Sequence, residues 1–133
     1  MASKPLLTLD DAKRIALAAE AEALSNAWQV VIAIVDDGGH LLYLQRNHDT
    51  QHGSVELAIM KAKAAVAFKR PTKSSEDAVL SGRLIHLALP GVIPAEGGVP
   101  IFKDDVVIGG IGVSGVRSFQ DGQIAQAGVA AYS

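Results

Sequence analysis

Two cations, a carboxylate and a pair of glycines are the residues of this sequence best suited to handling a small anionic ligand. Arg46 closes a stretch that carries Leu42 and Leu44 in alternation, and Lys61, with Lys63, interrupts an alanine-rich segment close to its apolar stripe. A guanidinium grips a carboxylate through two parallel hydrogen bonds, and a lysine can run its stem along an apolar wall and carry the ammonium into a cavity. Glu96 stands directly before Gly97-Gly98. Backbone N–H groups left uncovered by such glycines can point at an anion. Glu96 is therefore the carboxylate placed to move a proton. His40, just after the glycines Gly38-Gly39, is the candidate imidazole for the same work. Arg70-Pro71-Thr72 adds a hydroxyl at a rigid turn.

Three other motifs match on letters and fail on context. Gly110-Ile111-Gly112-Val113-Ser114-Gly115 spells GxGxxG after a strand. A dinucleotide fingerprint must open a helix within a βαβ unit and needs an acid about twenty residues on. Val116-Arg117-Ser118-Phe119 opens no helix at the last glycine, and the sequence ends before such an acid. The glycines read instead as a strand that another backbone approaches, or as one that leaves space beside a ligand. His48 and His52 stand four apart around Asp49, a helical metal-ligand spacing, but Asn47, Asp49 and Gly53 mark a solvated loop and no third ligand follows. Ser114 lacks the first glycine of a GxSxG elbow, so it is no serine nucleophile. His86 reads as a half-buried structural residue of a helix.

The elements that must hold these residues follow from periodicity and turn chemistry. Thr8 to Asp11 is a capping box opening a helix to about Leu24. Val30–Val35, rich in β-branched residues, is a buried strand, and Asp37-Gly38-Gly39 turns it into a return strand from His40 to about Arg46. Ser54 caps a second helix to about Phe68, whose alanines at 58, 62 and 65 suit close packing on a sheet. Pro71 stops it, and a third helix starts at Ser74 with Asp77 as its capping acid. Val99–Phe102 and Val106–Val113 form a second hairpin, and a last helix starts near Gln120. The order αββααββα supplies two hairpins and no helical crossover within either. That predicts an antiparallel sheet with helices packed on it, an α/β (α+β) domain spanning residues 1–133.

Composition narrows the partners. Of 133 residues 49% are hydrophobic and only 5% aromatic, enough for a core of small aliphatic side chains. Twelve basic and fourteen acidic residues, scattered, give a net charge of −2 and no footprint for nucleic acid or an anionic membrane. Without cysteine there are no disulfides, thiolate metal sites or cysteine nucleophiles. Neither a signal peptide nor a membrane span is legible, and a cytoplasmic location is the expectation.

Val35-Asp36-Asp37-Gly38-Gly39-His40, the Ala58–Ala65 segment with Lys61, Pro71-Thr72, Glu96-Gly97-Gly98-Val99-Pro100-Ile101, Ile108–Gly115 and the residues from Gln120 to Gly128 together resemble the GlcG/HbpS family across nearly the whole chain. The resemblance implies a profilin-like fold with a five-stranded antiparallel sheet and homo-oligomers of two or more copies. Its fifth strand would come from near Leu87 to Val92. The family includes haem-binding proteins and the haem-binding C-terminal domain of some corrinoid adenosyltransferases, and a few members act in the breakdown of aromatic-derived acids. Haem is thus the cofactor the resemblance implies. The family can use a first-helix histidine or a threonine as haem ligand. Asp10–Leu24 holds no histidine, and Thr72 is the threonine nearest by motif.

Three functions follow. The first is a module holding haem or another planar carboxylate between the sheet, the second helix and Glu96–Gly98, with Arg46, Lys61, Thr72, Gly97 and Gly98 as its contacts. The second is an enzyme acting on a small unsaturated acid as a tautomerase or hydrolytic dehalogenase, with Glu96 or His40 as acid/base and no metal. The third is an oligomerisation module without a ligand.

Overall fold

The computed structural model describes residues 3–132. Thr8 accepts from the Asp11 N–H, and the Asp11 carboxylate accepts from the Thr8 N–H, both at 3.1 Å, so the capping box opens α1 (Leu9–Ser25) as its sequence requires. β1 (Val31–Asp36) and β2 (Leu41–Arg46) form the first hairpin. One oxygen of Asp36 ties its turn by accepting from the N–H groups of Gly38 and His40, each at 2.9 Å. α2 (Gly53–Phe68) and α3 (Lys73–Leu80) follow, then a single 3₁₀ turn over Leu84–Leu87. β3 (Gly98–Lys103) and β4 (Val106–Ser114) make the second hairpin. Asp104 and Asp105 form its turn at φ 51° and 64°, the left-handed region that aspartate tolerates better than most residues. α4 (Ser118–Ala130) completes the order.

The result is an α+β fold with a four-stranded antiparallel sheet, ordered β2-β1-β4-β3. The expected fifth strand is not formed. Leu84–Leu87 winds as 3₁₀ helix, the Val92 N–H donates back to the Leu89 carbonyl, and Gly91 sits at φ 79°, so the Leu87–Val92 segment turns where a strand must extend. Two helix starts also differ. α2 begins at Gly53 without a side-chain cap, and Ser54 is buried, accepting from Gln51 Nε2. Asp77 does not cap α3 but pairs with Lys73 at 2.7 Å on its exposed face.

The two faces of the sheet are filled differently. Ile32, Ile34, Ile111 and Val113 meet Ile15 of α1 and Ile124 of α4 in the main core. The alternate residues Val31, Ala33 and Val35 meet Ala58 and Ala62 of α2. On β4 this second face is made of glycine. A Cβ on Gly112 would strike the Ala58 carbonyl oxygen, and one on Gly110 would lie 2.8 Å from that of Ala62. The literal GxGxxG is therefore the bed in which α2 lies, its backbone against the strand. No space is left there for a ligand. Leu80, Leu84, Ile85 and Leu87, beyond α2, remain exposed.

This close approach sets a stability test. Gly112→Ala must push helix backbone off strand backbone and is expected to cost about 3 kcal/mol or more in urea unfolding. Gly53→Ala, whose new methyl meets nothing within 4 Å, is expected to change stability by under about 1 kcal/mol.

Candidate functional site

Lys61 is the largest fully buried side chain of the molecule, 1% exposed, and it arrives on the helix whose alanines lie on the glycine strand. Its ammonium donates to the Val113 carbonyl at 3.0 Å and to Asp121 Oδ2 at 3.1 Å. Asp121, 2% exposed in the first turn of α4, also accepts from the Val116 N–H through Oδ1. One ion pair thus joins helices from opposite faces of the sheet around the end of β4. Burial pushes the Asp121 carboxyl up to about 6, against the opposing pull of Lys61 and of the Val116 and Gly115 N–H groups. The charge read in the sequence as available to a ligand carboxylate is matched inside the fold.

Thr72 and Gly98 are matched in the same way. The Thr72 N–H donates to the Gly98 carbonyl at 3.0 Å, and the Gly98 N–H donates to Thr72 Oγ1 at 2.9 Å. A Cβ on Gly98 would strike the Lys61 carbonyl, and Gly97 at φ 134° lies so close that its Cβ would come 2.5 Å from the Val113 oxygen. The Gly97 carbonyl accepts from the Val113 N–H at 2.9 Å. Thr72, Gly97, Gly98 and Lys61 therefore do come together, as the expected ligand set, but around each other. Glu96 is half-buried, with its carboxylate end over Gly122, where any Cβ would collide with it. Its N–H donates to Glu76 Oε1 at 3.0 Å. Burial holds its carboxyl above the usual carboxylate range, Lys73 opposes that and Glu76 and Asp77 add to it.

Arg46 and His40 stand elsewhere. Arg46 pairs in register with Val31, on the α2 face, and donates from Nη1 to the Thr50 carbonyl at 3.0 Å. His40 follows Asp36, which pairs with Gly109, whereas Glu96 leads into Gly98, which pairs with Gly112. The two acid/base candidates thus sit toward opposite ends of β4, roughly 10 Å apart along it. His48 and His52 are exposed, His48 beside Asp49 at 3.3 Å and His52 before α2, and among the described residues no three His, Asp or Glu side chains gather around a common point. His86 lies in the 3₁₀ turn.

What sequence reasoning missed is Lys63. Asp37, Gly38, Gly39 and His40 of the first hairpin turn line an open cleft of about 460 Å³ with Lys63, Val66 and Ala67 of α2, and the Asp37 carboxylate is paired with Lys4 at 2.9 Å. Among the described residues the His40 ring, which lies against Gly38, makes no hydrogen bond, and Lys63, its stem beside Gly39, pairs with no acid. Its spacing two positions after Lys61 was the available signal, since it turns Lys63 away from the buried stripe.

A family model described as haem degrading protein HbpS-like matches residues 7–130. The chain belongs to this HbpS-like family. Protein GlcG of Escherichia coli is 40% identical over 114 residues, 86% of this chain and 85% of that protein. A double mutant of HbpS from Streptomyces reticuli superposes with a TM-score of 0.89 at 29% identity, covering all of this chain and 91% of that one. A haem complex of PduOC superposes with a TM-score of 0.84 at 36% identity, covering 96% of this chain and 95% of that one. The HbpS-like structures thus share the antiparallel α+β architecture. Among the described residues no helix is long and apolar enough to cross a membrane.

Two measurements check the buried pair. Lys61→Met alone strands a carboxylate and is expected to cost about 3–5 kcal/mol, much of which Asp121→Leu should restore in the double variant. The pH dependence carries a definite sign. With its folded value near 6 against 3.8 in the unfolded chain, Asp121 holds a proton in the native state that the unfolded chain has released. Stability from this group therefore rises as pH falls through about 6 and levels off below 3.8. Wild type should gain on Asp121→Asn over that window in paired urea titrations, and a constant gap would contradict it.

Proposed function

We propose that this protein binds a planar, carboxylate-bearing small molecule, with haem as the type ligand, in the cleft between the first hairpin turn and α2. The observation that carries this reading is that His40 and Lys63 share that cleft, the imidazole unpartnered and the ammonium unpaired among the described residues. The kinship with a haem complex supports the same ligand class.

The residues present fit the group. A neutral imidazole is a good iron ligand, an ammonium matches a propionate, and Val66 with Ala67 gives an apolar wall for a ring edge. Haem held there would supply a Lewis-acidic, redox-active iron. This chain's own residues bind and orient: Asp36 locks the turn that carries His40, and α2, seated on the glycine strand, carries Lys63. Thr72, bonded to Gly98 and buried, and Arg46, which holds the Thr50 loop, lie outside this cleft. The homo-oligomer that the family resemblance implies belongs to the same reading. A second copy would cover Leu80, Leu84 and Leu87.

Haem added to the purified chain is expected to give a shifted Soret band that saturates near one equivalent per chain. His40→Ala should remove the shift or weaken binding about tenfold or more, and Lys63→Glu should weaken it by a smaller factor. Unchanged haem absorbance with wild-type protein, or an unchanged titration in His40→Ala, would sink the assignment.

A further inference from the structure

A second cavity lies on the other face of the sheet, where the end of α1 passes β2. Glu20, Ala23 and Leu24 of α1, Trp28, and Ile32 and Gln45 of the sheet enclose about 230 Å³, more closed to solvent than the His40 cleft. This is room for a small aliphatic body and too little for a tetrapyrrole. A hydrogen-bonded chain runs into the cavity in one direction, from Tyr43 outside the lining. The Tyr43 hydroxyl donates to Gln45 Oε1 at 3.1 Å, and Gln45 Nε2 donates to Glu20 Oε2 at 2.6 Å. The chain ends on a carboxylate that is partly buried and, among the described residues, paired with no cation. The neighbouring Glu22, whose Oε2 accepts from Gln123 and Asn26, does not line this cavity. Arg46 borders the cavity but is the register partner of Val31, so its guanidinium leaves the strand on the opposite face, toward Thr50.

A half-buried carboxylate without a counter-ion, an aromatic ring and an apolar floor define one ligand chemistry. The carboxylate supplies the charge and a strong acceptor, the indole attracts a cation, and Ala23, Leu24 and Ile32 shed water around an alkyl chain. We infer that this cavity is a binding site for a small organic ammonium ion, with Glu20 as the counter-ion and Trp28 as the aromatic wall. The site is independent of the His40 cleft, because it opens on the α1 face of the sheet.

The chain contains a single tryptophan, so its fluorescence reports this cavity directly. n-Butylammonium chloride is expected to change Trp28 emission saturably, with a midpoint of about millimolar for so small a ligand. Sodium butyrate at the same ionic strength is expected to give no saturable change. Glu20→Gln keeps the Gln45 hydrogen bond but removes the charge, and should raise the midpoint about tenfold or more. Glu22→Gln should leave it unmoved. Soret titrations with haem should be the same in Glu20→Gln as in wild type, which keeps this test separate from that of the haem cleft. Equal responses to butyrate and butylammonium, an unmoved midpoint in Glu20→Gln, or no saturable change up to about 100 mM would each overturn the assignment.

Discussion

The structure depends on helix backbone lying directly on strand backbone. Protein interiors are packed to crystal-like density, so two elements approach this closely only if the residues between them have almost no side chains. β4 supplies glycine at 110 and 112, β3 supplies Gly98, and α2 supplies alanines at 58, 62 and 65. Because β4 is a central strand, this one contact fixes where α2 sits against the whole sheet. From that position Lys61 can reach past the strand end to Asp121, and Lys63 is left facing the hairpin turn.

The ion pair is therefore a consequence of the packing and also its lock. A buried lysine and a buried aspartate repay their desolvation only when they meet each other and further hydrogen-bond partners. Here Val113 and Val116 complete the set. The arrangement joins the two helical layers around the end of the sheet, which apolar contacts through a solid sheet cannot do. Charges committed in this way are withdrawn from ligands, which is why both sites proposed above lie at the periphery, on the hairpin turn and beside the first helix.

Much of this was legible from residue types alone. The element order, both hairpins and the Thr8–Asp11 cap follow from local signals, and the small-residue face of α2 announced its close packing. The missing fifth strand shows the limit of such signals: Leu87, Leu89 and Val92 have strand-like side chains, yet Pro90 and Gly91 between them impose a turn. The sites were less legible, for a physical reason. Lys61 looks the same in sequence whether its ammonium faces a ligand or an aspartate sixty residues away, and Asp121 reads as an ordinary acid at a helix start. Thr72, Gly97 and Gly98 lie together, but only three-dimensional geometry shows their donors and acceptors satisfying one another. Lys63 and Glu20 stand out only once it is known which charges lining a cavity have no counter-charge among the described residues.

The place of β4 in the sheet also bears on the order in which the molecule can assemble. The first hairpin and α2 leave a ribosome well before the strand that must lie beside β1 and beneath α2, and Asp121 follows later still. Until then Val31, Ala33 and Val35 have one edge of their strand unpaired, and Lys61 has no counter-charge. Contacts this distant in sequence close slowly and late. A nascent chain halted before β4 would therefore present an open strand edge and an unmatched ammonium, the kind of surface that chaperones recognise. Only the last helix brings Asp121, the acid that matches that ammonium.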